Sequence, residues 1–308
     1  MSDRKGIVIL GVFVADTTYR AGRMPRMGET VLGESFVLGP GGKGSNQAVA
    51  AGRLGADVSL ITRLGEDDFG KLAVATWEAA GVRPVVTRVP ESYTGAAFIF
   101  VEAATGDNAI IISPGAAATL GPADLDARAD LIGGAAVFMT QLEQPLEAAV
   151  RGLEIARDAG VATLLNPAPA RDLDDAVLRL CDYVTPNETE AEALTGIAVG
   201  SIDGARAAAE RLLARGAGAA IITLGAQGVL YHAAVRSELV PAMAAGSVVE
   251  TTGAGDAFNA GFAVGLARGM DPVEAARFGC AVAGVSVTRP GAAASMPSAD
   301  EVAALLAR

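Results

Sequence analysis

The sequence predicts an α/β fold, in which helices flank a doubly wound, mostly parallel sheet and a small antiparallel β-sheet is attached to it. Short apolar runs rich in β-branched residues alternate with helical patterns along most of the chain, which is typical of βαβ units. Two other segments show partial alternation of apolar and polar residues around short turns, which indicates antiparallel pairing. Neither a fixed-period repeat nor a long linker interrupts the 308 residues, so we expect a single domain over residues 1–308.

The first predicted element is a strand. An apolar run over 6–14 with several β-branched residues indicates a strand buried on both faces of the sheet. The segments 30–38 and 94–112 carry the partial alternation, with a turn at 105–108. These two segments predict the small antiparallel sheet.

From residue 48 onward, helical and strand patterns alternate. The predicted helices lie at 48–54, 70–80, 146–159, 205–215, 257–268 and 272–287. The predicted strands lie at 58–62, 136–140, 162–165, 183–185, 219–223 and 229–233. The last two helices consist mostly of Ala, Gly, Val and Phe, so we expect both to pack against the sheet.

The composition excludes several classes of function. Thirty-five acidic and 24 basic residues give a formal net charge of −11, and with no Lys or Arg cluster this argues against a nucleic-acid partner or an anionic membrane surface. The only two cysteines, Cys181 and Cys280, lie far apart without metal-type spacing and cannot form a disulfide framework, which suits a reducing compartment. The apolar run after the charged N-terminus is too short for a secretion signal. We therefore expect a cytoplasmic protein.

Residues 216–235 carry no charge and are the strongest candidate for a membrane helix. Four glycines, Gln227 and His232 within them favour two buried strands instead. His232 is also the single histidine of the chain, which excludes His-rich zinc sites.

A glycine-rich stretch, 250–259, overlaps the start of a predicted helix. Gly253 and Gly255 allow backbone N–H groups to converge where the positive end of the helix dipole lies. The pattern indicates an anion-binding site. Asp256 has two interpretations, a functional carboxylate beside the anion or an ordinary stabilising carboxylate in a first helical turn.

A second glycine-rich stretch, 39–46, contains Lys43 and Asn46. It is not a P-loop, because Gly44 follows the lysine where Ser or Thr would stand. The ammonium and amide groups suit the hydroxyls of a polyol, which the glycines allow to approach the backbone closely. The alternative is a flexible glycine turn before a helix that Asn46 caps.

A third motif, 185–190, lies at the end of a predicted strand and the start of a helix. Asn187 and Glu190 are three residues apart and share a helix face, where they suit the water shell of Mg²⁺ at nucleotide phosphates. The alternative is simply a good helix start with an acidic first turn.

Together these motifs resemble the ribokinase-like (PfkB) sugar kinases. The resemblance covers nearly the whole chain, and several motifs in the same order are more specific than any one of them. The stretches that carry it are 41–52, 141–143, 166–170, 185–190, 223–225, 253–256 and 287–289.

The resemblance implies an ATP-dependent kinase that phosphorylates the primary hydroxyl of a pentose, with ribose as the expected sugar. It implies Asp256 as the general base for that hydroxyl, and Gly253, Ala254 and Gly255 as the anion hole for the transferring phosphoryl group. The positive helix end should keep Asp256 ionised at neutral pH. By the same resemblance the sugar is held by Asp16, Gly42, Lys43, Gly44, Asn46 and Glu143.

The nucleotide and ion sites also come from the resemblance. The ATP side comprises Asn187, Thr223, Leu224, Gly225, Gly228, Gly255 and Cys280, and Asn187 and Glu190 form the Mg²⁺ side. Family members bind a monovalent cation, usually K⁺, and the matching positions are Glu250, Thr252, Ser286, Arg289, Gly291 and Ser295. Glu250 stands where the family usually has Asp, and Cys280 where it often has His near the adenine. These two departures leave K⁺ activation and the adenine contacts open.

Val14 is the departure that bears on the substrate. The family usually has Asn two residues before the position of Asp16, so an amide directed at the sugar is lost, and with it discrimination against sugars that lack one hydroxyl. Ribose, 2-deoxyribose, another sugar or a nucleoside all stay open. A non-catalytic sugar or nucleotide sensor would be expected to lose Asp256 or its glycines. A nicotinamide-dependent oxidoreductase is disfavoured, since no GxGxxG follows the first strand.

The segments at about 12–39 and 91–113 match the β lid of the family, which covers the sugar and commonly pairs with a second lid. Exposed strand edges need covering, which is an independent physical reason to expect pairing. We therefore expect a homodimer formed through the lid, although the sequence leaves the oligomeric state open.

Overall fold

The computed structural model describes residues 6–308. Residues 1–5, the charged start weighed above as a secretion signal, lie outside this range. The strands are β1 (Ile7–Leu10), β2 (Val14–Ala21), β3 (Ser35–Gly41), β4 (Val58–Leu64), β5 (Val82–Arg88), β6 (Thr94–Glu102), β7 (Asn108–Gly115), β8 (Val137–Thr140), β9 (Ala162–Leu165), β10 (Tyr183–Val184), β11 (Ala219–Thr223), β12 (Val229–Ala233) and β13 (Arg236–Val240). The helices are α1 (Lys43–Arg53), α2 (Asp68–Ala79), α3 (Pro122–Asp126), α4 (Ala129–Gly133), α5 (Leu146–Asp158), α6 (Asp175–Leu178), α7 (Glu188–Thr195), α8 (Ile202–Ala214), α9 (Ala254–Ala267), α10 (Pro272–Ser286) and α11 (Ala299–Leu306).

In the described part of the chain, nine strands form one large sheet in the order β13-β12-β11-β10-β9-β8-β1-β4-β5. The pairings are parallel except those of β12 with β11 and β13. Strand β1 lies between β4 and β8, and Ile7 is in register with Val58 on one side and Val137 on the other. Because the strand order reverses at β1, a crevice opens at the carboxyl ends of the strands. The predicted fold class is confirmed.

A smaller sheet with the order β3-β2-β6-β7 is attached to the first. Its outer pairs are antiparallel, as the alternation predicted, and the central pair of β2 with β6 is parallel. Strand β3 begins at Ser35, five residues later than the predicted 30–38 segment.

The predicted strand over 6–14 is wrong in extent. β1 ends at Leu10, and the chain enters the small sheet at Val14. The break begins at Gly11, where a Cβ would lie 2.6 Å from the Cα of Gly44 in α1. Because Val12 and Phe13 are also buried, hydrophobicity alone gives no sign that the run passes from one sheet to the other.

Helix α1 begins at Lys43, five residues before the prediction, and Gly42 is its N-cap. Asn46 therefore lies inside the helix, and the alternative in which it caps the helix is wrong. Strands β2, β5 and β13 and helices α3, α4, α6 and α11 were not predicted. The other predicted elements are present, with ends displaced by up to three residues.

The two faces of the large sheet bury separate cores. Alternate residues of β1 point to opposite faces: Ile7 and Ile9 pack with α1, α9 and α10, and Val8 and Leu10 pack with α5 and α8. Within residues 6–308 no helix is long and apolar enough to cross a membrane. The uncharged stretch 216–235 contains β11 and β12, as predicted.

Candidate active site

Glycines bring the start of α1 close to two neighbouring strands. Gly42 has a φ of 89°, and a Cβ there would lie 2.5 Å from the Val12 carbonyl oxygen. A side chain on Gly41 would collide with the Asp16 carboxylate, and a Cβ on Gly44 would lie 2.5 Å from the Cα of Gly11. The loop is therefore closely packed, which corrects the alternative of a flexible turn.

Acidic side chains converge on the first turn of α1. The Lys43 N–H donates to Oε2 of Glu143 at 2.8 Å, so a carboxylate from the β8–α5 loop supplies the cap that Gly42 lacks. Burial, with smaller contributions from the charges of Asp256 and Asp16, raises the pKa of Glu143 to about 7, against the opposing charge of Lys43. Burial alone raises the pKa of Asp16 to about 6.

Asp256 lies in the first turn of α9 and is buried. Its Oδ2 accepts from Nδ2 of Asn46 and its Oδ1 from Nε2 of Gln47, both at 3.0 Å. Burial raises its pKa, opposed by the Lys43 charge and by these two donors. Burial thus opposes the ionisation of this carboxylate, which the positive helix end was expected to favour at neutral pH. A carboxylate with a raised pKa is a better proton acceptor near neutral pH.

The first turn of α9 faces open space. Gly253 is its N-cap with a φ of 78°, and a Cβ on Gly255 would meet no atom within 4 Å. The N–H of Ala254 donates to the Thr251 carbonyl oxygen at 3.1 Å. Since the first N–H groups of a helix have no carbonyl partner within it, Gly255 and Asp256 present the donors suited to an anion here.

Asn187 and Glu190 form a capping box at the start of α7. Oδ1 of Asn187 accepts from the Glu190 N–H at 2.8 Å, and Oε2 of Glu190 accepts from the Asn187 N–H at 2.9 Å. Burial raises the pKa of Glu190. The helix-start interpretation of this motif is therefore correct, and it leaves one carboxylate oxygen of Glu190 outside the capping box.

A cavity of about 520 Å³ lies beside the start of α9. Its walls include Asn187, Thr223, Gly225, Gly228, Gly255 and Cys280, as expected for the nucleotide side. Leu224 instead packs in the core against α8 and its neighbours. Met243, Val248, Phe258, Ala283, Gly284 and Val287 also line the cavity and were not predicted. This apolar part suits the flat face of a base, and the polar end meets the first turn of α9.

The sequence model described as "pfkB family carbohydrate kinase" matches residues 5–299. The chain belongs to the pfkB family. It is therefore an ATP-dependent sugar kinase, as the motifs predicted.

Similar proteins match this pfkB-family kinase over almost its whole length. It is 38% identical over 299 residues to a ribokinase of Haemophilus influenzae, covering 97% of each chain. It is 37% identical over 297 residues to a deoxyribokinase of Salmonella typhimurium, covering 96% of each. The structure of Arabidopsis thaliana ribokinase complexed with ribose and ATP matches with a TM-score of 0.94 at 30% identity, covering 98% of this chain and 99% of that one.

Five of the six residues expected to hold a monovalent cation lie in two loops of the kinase, one before α9 and one after α10, which a hydrogen bond joins. Oε2 of Glu250 accepts from the Gly291 N–H, and the Ser295 carbonyl oxygen accepts from Nε of Arg289, both at 2.9 Å. Ser286 closes α10, and Thr252 lies in the loop before α9. Among the residues described, no group of three or more His, Cys, Asp or Glu side chains could hold a metal ion.

Sequence reasoning assigned no role to the buried amides behind Asp256. Gln141, Asn166 and Thr185 each follow the last residue of a parallel strand, β8, β9 and β10 respectively. With Gln47 and Asn259 they form a hydrogen-bonded set that is at most 6% exposed. The sequence could have identified them by their position, because ligands bind at the carboxyl ends of parallel strands and polar residues there are candidates for the site.

Proposed function

We propose that this kinase transfers the terminal phosphoryl group of ATP to the primary 5-hydroxyl of D-ribose and produces D-ribose 5-phosphate and ADP. The observation that carries the proposal is the position of Asp256, whose carboxylate lies between the start of α1 and the anion-binding turn of α9. The identity to ribokinases over nearly the whole chain supports ribose as the sugar.

In this proposal the hydroxyl oxygen of the sugar attacks the terminal phosphorus, the bond to the ADP oxygen breaks, and the hydroxyl proton passes to Asp256. The anion hole in this proposal is the turn of Gly253, Ala254 and Gly255. It stabilises the charge on the transferring group mainly through the N–H groups of Gly255 and Asp256, because the Ala254 N–H donates to the Thr251 carbonyl oxygen. Asn46 contributes an unused acceptor, because its buried Oδ1 has no hydrogen-bond partner within residues 6–308. The sugar site is completed by Asp16, Gly42, Lys43, Gly44 and Glu143.

The nucleotide occupies the cavity in this proposal, with its base between the apolar walls and its phosphates at α9. Mg²⁺ would be held through water by Asn187 and Glu190 and would neutralise phosphate charge. K⁺ would be held by Glu250, Thr252, Ser286, Arg289, Gly291 and Ser295, mainly through backbone oxygens. The longer carboxylate of Glu250 already accepts from Gly291. An unchanged rate when K⁺ is omitted would remove this cation from the proposal.

A second candidate substrate is 2-deoxyribose, and Val14 is the observation that favours it. Val14 is buried and packs with Val12, Ala97 and Ala117, so this wall of the sugar site is apolar where an amide would recognise a hydroxyl. A deoxyribokinase is among the relatives at 37% identity.

The remaining parts of the proposal concern the whole chain. It forms one domain, and β2, β3, β6 and β7 act as a lid over the sugar. Large apolar side chains are exposed on this small sheet, namely Tyr19, Phe36, Val37, Leu38, Ile110, Ile111 and Ile112. Such a patch suits burial against a second copy of the lid, so we expect a cytoplasmic homodimer. A monomer in sedimentation at micromolar concentration would overturn the lid dimer.

The experiment that tests the function is ADP release with D-ribose, 2-deoxyribose, fructose and adenosine, each with and without K⁺. The proposal expects sugar-dependent release with the highest kcat/KM for ribose or 2-deoxyribose. Release that no sugar stimulates, together with measurable sugar or nucleotide binding, would favour the non-catalytic sensor.

A further inference from the structure

The carboxylate of Asp256 is held by two consecutive residues of α1. Asn46 donates to one oxygen and Gln47 to the other, so the plane of the carboxylate is fixed from one side. Asn46 also belongs to the proposed sugar site. Gln47 is fully buried, at 0% exposure, so it acts on the reaction only through Asp256.

The amide of Gln47 has only one orientation that satisfies its neighbours. The backbone carbonyl of Thr185 accepts from Nδ2 of Asn166 at 3.0 Å, and a carbonyl oxygen never donates. Oδ1 of Asn166 must therefore face Gln47, whose Nε2 donates to it at 3.2 Å. On the other side, Oε1 of Gln47 accepts from Nε2 of Gln141. A flipped Gln47 would place its oxygen against two acceptors, the Asp256 carboxylate and Oδ1 of Asn166.

The same hydrogen-bonded set returns to the anion-binding helix. The Thr185 hydroxyl donates to Oδ1 of Asn259, and Nδ2 of Asn259 donates to the Gly255 carbonyl oxygen at 2.9 Å. The set thus closes a ring from Asp256 through Gln47, Asn166, Thr185 and Asn259 to the residue that precedes Asp256. Buried polar groups that pair with one another around such a ring rigidify their surroundings.

We propose that Gln47 is a positioning residue for the general base: it orients the Asp256 carboxylate toward the sugar hydroxyl, and Asn166 keeps the Gln47 nitrogen directed at that carboxylate. This inference rests on the proposed role of Asp256. The donor also stabilises the ionised carboxylate, and it does so against burial. Other charged groups that face Asp256 are Lys43 from α1, Glu143 from the β8–α5 loop and Glu190 from α7.

The test replaces Gln47 by a side chain of similar size without a donor, Gln47→Met. We expect kcat to fall about 10- to 100-fold, the change that corresponds to one hydrogen bond to a charged group, while the sugar KM stays within about twofold. Without the donor the acid limb of the kcat profile, measured at saturating sugar, shifts by about one pH unit to higher pH.

The matched control is Gln144→Met. Gln144 is a buried glutamine of the same region that donates to Thr140 Oγ1 and the Gln141 carbonyl oxygen, and neither bond reaches Asp256. We expect it to keep the kcat and pH profile of the parent. An equal loss of kcat in Gln144→Met, or a Gln47→Met enzyme with parental kcat and an unmoved acid limb, would overturn the inference.

Two further variants keep the test decisive. If Gln47→Met fails to fold, Gln47→Glu is the replacement variant, because it retains size and polarity. It places a carboxyl group beside Asp256, so the acid limb of the kcat profile should again shift to higher pH. An unmoved acid limb would overturn the inference. In the double variant Gln47→Met/Asn166→Ser, kcat should fall no further than in Gln47→Met alone. Additive losses of kcat would show that Asn166 does not act through Gln47. Parental turnover of Asp256→Asn would instead defeat the proposed function itself.

Discussion

At the residue scale, the carboxylate of Asp256 is the group whose chemistry is easiest to isolate. We expect Asp256→Asn to lower kcat by about two orders of magnitude or more, because the amide cannot accept the hydroxyl proton. The sugar KM should change much less, since other side chains hold the sugar. Steady-state kinetics measures both, with the exposed Asp68→Asn as the matched control. Near-parental kcat in Asp256→Asn would contradict the role of general base.

Val14 is the residue that we expect to affect the preference between the two candidate sugars, ribose and 2-deoxyribose. We expect Val14→Asn to raise the ratio of kcat/KM for ribose over 2-deoxyribose by about tenfold or more, because an amide that hydrogen-bonds a hydroxyl rejects the analogue lacking it. Val14→Leu keeps the wall apolar and should leave the ratio near the parental value. An unchanged ratio in Val14→Asn would show that this wall does not read the 2-hydroxyl.

The roles of single residues divide into those readable in the sequence and those that only packing reveals. Lys43, Asn46 and Asp256 stand in recognisable motifs, and the fold brings all three together. The raised pKa of Asp256 has no such signal, because it comes from burial by segments distant in sequence. The fixed amide of Gln47 likewise depends on Asn166, 119 residues away.

At the scale of elements, the contact between α1 and the end of β1 sets the position of Lys43 and Asn46, which belong to the proposed sugar site. We expect Gly44→Ala to reduce the free energy of unfolding by about 1–3 kcal/mol, because its Cβ would lie 2.5 Å from backbone at Gly11. The sugar KM should rise as Lys43 is displaced with its helix. Denaturant unfolding measures the first effect and kinetics the second.

The control for this substitution is Gly200→Ala, since a Cβ at Gly200 meets no atom within 4 Å. Its free energy of unfolding should stay within about 0.5 kcal/mol of the parent. Equal stability of Gly44→Ala would mean that α1 moves away from β1 without cost.

The same contact explains which elements the sequence predicted poorly. Gly44, Ser45 and Asn46 have low helix propensity, so α1 is predicted to start only at the alanines. Packing against Gly11 establishes the earlier start. The parallel strands β8, β9 and β11 have clear apolar runs and were predicted nearly to the residue. Strand β13 is mostly exposed and lacks such a run.

At the scale of the whole molecule, the negative charge opposes the substrate. The formal net charge is −11, and ATP is itself an anion. We therefore expect ATP binding to depend on local donors at the start of α9 and on Lys43. The acidic side chains around Lys43, Asp16 and Glu143, add to this negative charge, and burial raises the pKa of both.

The raised pKa values of two buried acidic side chains predict how the free energy of unfolding depends on pH. The pKa values of Asp16 and Glu143 are raised to about 6 and about 7, so between about pH 4 and pH 7 the folded state binds more protons than the unfolded state. The stabilising contribution of these two carboxyl groups is complete at pH values below their pKa values in the unfolded chain. It is lost as the pH rises through their folded-state pKa values of about 6 and about 7. The pKa of Glu301 is lowered to about 2, so its contribution to stability has the opposite pH dependence. It is lost only as the pH falls below the ordinary range of a glutamate pKa.

We therefore expect the ligand-free protein to have a free energy of unfolding about 1–3 kcal/mol lower at pH 8 than at pH 5.5, measured by urea denaturation. Glu143→Gln should remove a large part of this difference, because a neutral amide cannot ionise, whereas the exposed Glu78→Gln should leave it intact. A sugar that donates hydroxyls to the ionised carboxylates should restore stability most strongly at pH 8. Stability that rises between pH 5.5 and pH 8 without ligand would contradict the burial of these carboxyl groups as the source of their raised pKa values.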